Sequence, residues 1–368
     1  MNIDATLYAL QASGNMRTLP TDTRADARVD LSTNDYLGIG SDELLRQQFM
    51  EHATEAGYGM TASASRLLAS HQNEFAALEG LLEDAYGRPA LLFNSGYHAN
   101  TGMISALAAD KHTLVVADRL VHASIIDGIR LAGAPMERFC HNDYNHLQRI
   151  LDTKGREYNS VLIVAESIYS MDGDRADIGA LAEAKESHEG AMLYVDEAHA
   201  VGVAGPHGLG LSAGSGCAEK VDIIVGTMGK ALAGMGAFGV MSGKLRRFMI
   251  NKARSLIFST AMPPICAAWN RFVFEKSLGM DSERAHLKKL SRKLYDVLGL
   301  SGDPSHIAPF IVGTPYGAVN LSKHLDANGF HVLPIRTPTV PPGTDRLRFS
   351  LSASLEPECL EPLRDLVK

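Results

Sequence analysis

Residues 221–230 read VDIIVGTMGK, an apolar run that ends in a glycine-flanked turn bearing a lysine. Val221, Ile223, Ile224 and Val225 are β-branched and apolar, which predicts a buried strand. Lys230 then stands at the carboxyl end of that strand. A lysine in such a place loses hydration, which favours the neutral amine that attacks a carbonyl group.

Similar apolar runs recur through the middle of the chain, separated by stretches long enough to form crossover helices. The predicted strands are residues 90–93, 113–117, 161–165, 192–195, 221–225 and 238–241. This alternation is typical of a mostly parallel sheet that is covered on both faces. The sequence therefore predicts an α/β fold, with the lysine turn at the carboxyl edge of a large sheet.

The pattern changes after Met262-Pro263-Pro264. A helical stretch from about Ile265 to Leu298 precedes three further strands and two helices, which indicates a smaller α+β domain. The strands are predicted at 309–312, 330–335 and 346–352, and the helices near 316–328 and after Pro357. The predicted divisions are an N-terminal segment, 1–44, that packs with the small domain, a large domain, 45–264, and a C-terminal small domain, 265–368.

Composition narrows the possible functions. The 368 residues are 45% hydrophobic and 21% charged, with a net charge of -7, which argues against a nucleic-acid-binding face. No apolar run approaches the roughly 18 residues of a membrane span. The first residues include Asp4 and no long apolar core, so no signal peptide is expected. The four cysteines are widely spaced, which predicts reduced thiols in a cytoplasmic protein, with no zinc or other metal site.

Two short motifs resemble parts of an ATPase. Gly229-Lys230 resembles the core of a phosphate-binding P-loop, and residues 196–199 spell DEAH. A P-loop would need glycine at Ile224 and serine or threonine at Ala231, and its acidic motif follows the lysine rather than preceding it. The ATPase interpretation is therefore disfavoured.

A pyridoxal phosphate (PLP) site accounts for the same residues better. Asp196 ends an apolar strand, where its carboxylate can keep a pyridine nitrogen protonated, and a protonated ring is an electron sink. His199 follows three residues later and can reach the phenolic oxygen of the ring. The alternative for Asp196 is a helix N-cap.

Other strand ends offer the remaining contacts to a flat, phosphorylated ring. Residues 90–100 predict a strand, a turn and a helix whose first N–H groups, at Gly96 and Tyr97, suit a phosphate. Thr227 at the lysine turn is a second candidate phosphate ligand. His122 follows the strand 113–117 and can lie against the ring face.

The segment RLRFSLS at 346–352 places Arg346 and Arg348 on one face of a predicted strand. An ordinary polar face of an antiparallel strand is one interpretation. A buried guanidinium, however, needs an anion, and the carboxylate of an amino-acid substrate is a natural bidentate partner.

Eight ordered stretches between about residues 31 and 355 together resemble the α-oxoamine synthase family of fold-type I PLP enzymes. They read STNDYLG (32–38), SRLL (65–68), NSGY (94–97), DRLVHAS (118–124), ESIYSMDGD (166–174), DEAH (196–199), GTMGK (226–230) and FSTAMPP (258–264). The resemblance implies an aspartate-aminotransferase-like α/β fold, with a large mostly parallel sheet domain and a smaller α+β domain.

The resemblance also implies roles for individual residues. The cofactor would be held by Lys230 as a Schiff base, His122 against the ring, Asp196 at the pyridine nitrogen, His199 and Ser170 near the phenolic oxygen, and Gly96, Tyr97 and Thr227 around the phosphate. The substrates would be bound by Arg348 and Asn34 at the amino-acid carboxylate, with Thr339 nearby and Arg17 at the acyl substrate. Ser259 and Thr260 match a segment that reaches the cofactor phosphate of a partner subunit, which implies a homodimer.

The implied activity is the decarboxylative condensation of an amino acid with an acyl thioester. Within the family, the stretch TPTVPPGTDRLR at 337–348 indicates L-alanine and a pimeloyl thioester. The alternatives are glycine with acetyl-CoA, or another amino acid with a long acyl-CoA. Relatives usually have glycines where residues 59–66 have alanine and serine, and a histidine that 351–355 lacks. These departures leave the acyl donor open, including whether CoA or a carrier protein delivers it.

Overall fold

The computed structural model describes residues 2–17, 19, 28–70 and 72–368. The chain forms two compact units. The large unit comprises Leu37–Tyr169 and Arg175–Arg284, and the small unit comprises the chain up to Tyr36, Ser170–Asp174 and Ala285–Lys368. None of the described helices is both long enough and apolar enough to cross a membrane.

The large unit is built on a seven-stranded sheet. Its strands, in spatial order, are Ala90–Phe93, Ala237–Met241, Ile223–Thr227, Ala191–Asp196, Ser160–Glu166, Thr113–Asp118 and Met136–Phe139. The strand Ala237–Met241 is antiparallel to both of its neighbours, and all other pairs are parallel. The predicted mostly parallel sheet is thereby confirmed.

Helices cover this sheet and begin at the capping residues that the sequence provides. Ser95 Oγ accepts from His98 N at 3.2 Å, and Asp177 Oδ1 accepts from Ala180 N at 3.0 Å. The helices of the large unit are Glu43–Ala56, Asn73–Tyr86, Gly96–Leu107, Ala123–Ala132, Tyr144–Thr153, Ile178–Glu186, Leu211–Gly214, Gly243–Lys252, Arg254–Ile257 and Pro264–Ser277. Because both faces are covered, the central strands are buried along almost their whole length.

The small unit contains a three-stranded antiparallel sheet in the order Leu333–Ile335, Arg346–Ser350, Ile307–Ile311. Near the N-terminus, Val29–Asp30 pairs in parallel with Phe330–His331. The helices are Ile3–Ala12, Pro315–Ala327 and Leu363–Leu366, and a further helix, Asp281–Leu298, starts in the large unit and ends in the small one.

The structure differs from the predicted elements at three places. The predicted helix 265–298 is two helices, because the chain turns at Leu278-Gly279-Met280. The predicted strand 330–335 is two short strands. The edge strand Met136–Phe139 was not predicted, since it is mostly exposed and carries no apolar run.

The compact units also divide the chain at residues other than the predicted 44 and 264. The helix Pro264–Ser277 belongs to the large unit, where Ala268 packs with Phe49 and Ala53. Residues 170–174 belong to the small unit because Gly173 lies against the backbone of Ile307, where an added Cβ would come within 2.2 Å of the carbonyl oxygen.

Candidate active site

The lysine turn is held by the threonine that precedes it. Thr227 ends its strand, and its hydroxyl donates to Gly236 O at 3.1 Å and accepts from Gly229 N at 3.2 Å. The Nζ atom of the half-buried Lys230 lies 2.8 Å from Nε2 of His199, which is buried. The structure therefore brings these two predicted residues together, and the Thr227 side chain is engaged within the turn.

Asp196 ends the neighbouring parallel strand, so it lies at the same edge of the sheet as Thr227. Its side chain is buried and accepts from Ala198 N at 2.9 Å and from Asn100 Nδ2 at 2.7 Å. Both donors are neutral. The carboxylate thus carries its charge with lone pairs left for a further N–H donor. The contact to Ala198 closes a local turn and not the start of a helix.

His122 caps the helix Ala123–Ala132 at this same edge. Its Nδ1 accepts from Ser124 N at 3.2 Å and lies 2.7 Å from Ser124 Oγ. Although the residue is exposed, desolvation by nearby protein lowers the pKa of His122; Asp196 opposes this shift and Lys230 adds to it. The imidazole is therefore neutral at pH 7, with its proton on Nε2.

The turn before the helix Gly96–Leu107 offers space for an anion. A Cβ added at Gly96 would meet no atom within 4 Å, and the first N–H groups of a helix have no acceptor inside it. Asn94 Nδ2 donates to Ser259 Oγ at 3.3 Å, which brings Ser259 and Thr260 beside this turn. The hydroxyl of Tyr97 donates to Asp127 at 2.9 Å.

The small unit contains a buried guanidinium with neutral partners. Arg348 is 7% exposed, and its Nη atoms each lie 3.2 Å from Asn34 Oδ1. Its Nε donates to Ser170 O at 2.6 Å, and Tyr36 and Ser350 lie at 3.4 Å. Among the residues that the structure describes, no carboxylate pairs with Arg348. Arg346 on the same face is 4% exposed but forms an ion pair with Asp172.

Arg17 and Thr339 also meet in the small unit. Arg17 Nη2 donates to Thr339 Oγ1 at 3.0 Å, at a groove of about 670 Å³. The lining combines apolar side chains from the first helix, Leu7 and Leu10, with the cations of Arg17 and Arg336. Its chemistry suits a chain of methylene groups that ends in an anion.

The residues of the large unit fit the three functional groups of PLP. Lys230 offers a primary amine to the aldehyde, Asp196 offers a buried carboxylate to the ring nitrogen, and the helix that starts at Gly96 offers N–H groups to the phosphate. Ser170, predicted at the phenolic oxygen, lies in the small unit as a partner of Arg348, and its role toward the ring stays a prediction.

One cluster has the residue types of a metal site. Ligand atoms of Cys140, Asp143 and His146 lie within 4.8 Å of one another. All three, however, already have local partners, and the Sγ of Cys140 accepts from Arg119 Nη2 at 3.6 Å. Asp143 caps a helix through His146 N at 2.8 Å, and His146 Nδ1 accepts from Cys140 N at 3.0 Å. The cluster is accounted for as a helix start.

Sequence reasoning missed three polar residues of these sites, namely Asn100, Tyr36 and Arg336. Asn100 is 2% exposed and touches Asp196. The signal for it was an amide among the apolar and small residues of a predicted helix. Tyr36 lies within the STNDYLG stretch at 32–38, but nothing in the sequence indicated its contact with Arg348, and nothing singled out Arg336.

The chain matches one protein family over most of its length. The model of the family "Aminotransferase class I and II" matches residues 27–366. The chain is 44% identical to the 8-amino-7-oxononanoate synthase of Chlorobaculum parvum, covering 96% of this chain and 94% of that protein. It is 46% identical to the protein of the same name from Haemophilus ducreyi, covering 89% and 87%.

Solved structures are also similar to this chain over most of its length. The serine palmitoyltransferase of Sphingomonas wittichii has a TM-score of 0.89 at 32% identity, covering 99% of this chain and 95% of that one. A variant of the serine palmitoyltransferase from S. paucimobilis, with a bound PLP–myriocin aldimine, has the same TM-score and coverage at 28% identity. The 8-amino-7-oxononanoate synthase of Francisella tularensis has a TM-score of 0.79 at 27% identity, covering 92% and 96%.

Proposed function

The chain belongs to the class I and II aminotransferase family, and from that premise we propose that it condenses L-alanine with a pimeloyl thioester to give 8-amino-7-oxononanoate for biotin synthesis. It is an enzyme, and its cofactor is PLP. The relatives named 8-amino-7-oxononanoate synthase support the choice of reaction. In that reaction the α-carbon of alanine loses its proton and bonds to the thioester carbonyl carbon, from which the thiol leaves. The carboxyl group then departs as carbon dioxide, and a proton takes its place on the α-carbon.

The observation that carries the proposal is the buried guanidinium of Arg348 with neutral partners. A cation that is 7% exposed is costly unless an anion joins it, and its neighbour Arg346 already has one. The planar guanidinium suits the two oxygens of a carboxylate. Asn34, which accepts from Arg348 and from Tyr36 at 2.9 Å, orients the guanidinium for that contact.

The large unit supplies the groups that act on the amino acid. PLP, when bound, supplies an electron sink for the negative charge left at the α-carbon. Lys230 removes the α-proton at its Nζ, and His199, 2.8 Å away, orients that amine. With PLP bound, Asp196 would hold the ring nitrogen in its protonated form, and the neutral His122 would lie against the ring face.

The groove in the small unit supports a dicarboxylic acyl donor. Leu7 and Leu10 suit the methylene chain, and Arg17 suits its terminal carboxylate, held in place by Thr339 at 3.0 Å. A short acetyl group would leave the apolar lining unfilled and this cation without an anionic partner.

The likeness to serine palmitoyltransferase favours one second candidate, a condensation of another amino acid with a long acyl-CoA. A paired assay separates the two, with alanine, glycine or serine offered against pimeloyl-, acetyl- and palmitoyl-CoA and the products identified by mass spectrometry. We expect kcat/KM for alanine with pimeloyl-CoA to exceed that for glycine with acetyl-CoA by at least about a thousandfold, or about 4 kcal/mol. An equal or reversed preference would assign the chain to a sister activity.

The proposal includes a homodimer in the cytoplasm. Ser259 and Thr260 lie beside the turn before Gly96, where they would also approach the phosphate of a partner subunit. Sedimentation equilibrium of the purified protein tests this assembly. A monomer at micromolar concentration would contradict it.

A further inference from the structure

Three elements of the large unit converge on the side-chain amide of Asn100. The helix Gly96–Leu107 carries Asn100, the strand Ala191–Asp196 carries Tyr194 and Asp196, and the helix Ala123–Ala132 carries Ser124. The helices approach closely, because a Cβ on Gly128 would lie 3.1 Å from Asn100 O. All four polar side chains are at most 5% exposed.

The donors and acceptors in the hydrogen bonds of this amide can be assigned in only one consistent way. Tyr194 Oη lies 2.7 Å from Asn100 Oδ1, and burial, followed by the charge of Asp196, raises the pKa of Tyr194 well above its ordinary value. The phenol is therefore protonated and donates to Oδ1. The two N–H groups of Asn100 are then left for Asp196 Oδ2 at 2.7 Å and Ser124 Oγ at 2.9 Å.

The same hydrogen-bond network extends through Ser124 to His122. Its Nδ1 accepts from the Ser124 N–H at 3.2 Å, so Nδ1 carries no proton. The Ser124 hydroxyl, 2.7 Å from the same nitrogen, must donate to it, and its oxygen accepts from Asn100. The amide of Asn100 therefore joins the carboxylate of Asp196 to the neutral imidazole of His122.

We propose that Asn100 is a positioning residue for the cofactor: its amide holds Asp196 ionised and oriented toward the ring nitrogen, and through Ser124 it holds His122 in its neutral form. The proposal rests on the function given above for Asp196. A donor to a carboxylate favours the charged form. Without this donor, the proton between the ring nitrogen and Asp196 is expected to move toward Asp196.

The test loads the full-length protein with PLP labelled with ¹⁵N in the ring and records the ring-nitrogen signal by NMR. Wild type should give the signal of a protonated ring. In Asn100→Ala the signal should move toward the unprotonated position, and the dissociation constant for PLP should rise roughly tenfold or more. Ile104→Val, a core change on the same helix with no polar contact, is the matched control and should leave both readings unchanged.

Asn100→Asp separates positioning from packing because it keeps the shape of the side chain. The groups that face the introduced carboxyl are Asp196 and Tyr194 and, through Ser124, His122. While protonated, the carboxyl can still donate to Asp196, so the ring signal should match wild type at low pH and move to the unprotonated position as pH rises. A ring signal that stays at the wild-type position over the same pH range would contradict the role of Asn100.

The outcomes are distinguishable. An unprotonated ring in the wild-type protein would overturn the role of Asp196, and with it the proposed function of that residue. A protonated wild-type ring with unchanged signals in both Asn100 variants would overturn only the role of Asn100. If Asn100→Ala does not fold, Tyr194→Phe removes the donor that orients the amide, and an unshifted ring signal in that variant would also overturn the proposal.

Discussion

Replacing Arg348 by alanine should abolish most of the recognition of the amino acid while leaving the acyl site intact. The guanidinium is 7% exposed and its partners are neutral, so its charge is available to a substrate carboxylate. A bidentate pair makes two hydrogen bonds to a charged group, each contributing about 1.5–3 kcal/mol. Their loss corresponds to about 3–6 kcal/mol, or roughly a hundredfold to ten-thousandfold in kcat/KM.

Steady-state assays with alanine varied at saturating pimeloyl-CoA measure this loss, and circular dichroism melting verifies the fold. Arg346→Ala is the matched control, because Arg346 lies on the same face of the same strand but is already paired with Asp172. It should lower the melting temperature and change kcat/KM little. The reasoning is refuted if Arg348→Ala melts as a folded protein and retains kcat/KM within about threefold of wild type.

Four further predictions concern the cofactor, the acyl donor and pH. Borohydride reduction of the yellow holoenzyme should remove its visible absorbance band and leave the cofactor covalently bound to Lys230. Peptide mapping that finds the bound cofactor on another lysine would contradict this. Asp196→Asn should fold and bind PLP yet lose at least roughly a hundredfold in kcat, and near wild-type turnover would make Asp196 a turn residue only. Arg17→Ala should raise KM for pimeloyl-CoA and leave acetyl-CoA unchanged, whereas an equal loss for both donors would place Arg17 elsewhere. The pKa of His122 in the folded protein is lowered from 6.5, so its contribution to stability is present above pH 6.5 and is lost as the pH falls below that value. His122→Gln should therefore reduce the pH dependence of the melting temperature between pH 7 and pH 5. An unchanged pH dependence would contradict the assignment.

The strand-end residues could be predicted from the sequence because strand position follows from apolar pattern alone. Asp196 and Thr227 end adjacent parallel strands, each of which the sequence indicated by a run of apolar residues. Parallel strands bring their carboxyl ends to one edge of the sheet. The proximity of Lys230 and His199 follows from the same geometry.

The partners of these residues could not be predicted, because they depend on contacts between distant segments. Arg346 and Arg348 are equivalent in the sequence, and only the packing of residues 170–174 gives one of them a carboxylate. Asn100 meets Asp196 across the helix–sheet interface, which no local pattern encodes. The strand Met136–Phe139 is likewise set by pairing with Thr113–Asp118 rather than by its own composition.

The antiparallel strand in the large sheet has a consequence for synthesis of the chain. Ala90–Phe93 leads into the turn before Gly96. Its one partner among the described strands is Ala237–Met241, which follows the lysine turn far along the chain. A nascent chain on the ribosome therefore exposes an unpaired early strand until residue 241 has emerged. Contacts of such long sequence separation form slowly. We expect the phosphate end and the lysine end of the site to form together as the last event in folding of the large unit, and the partly made chain to depend on chaperones that shield an open strand edge.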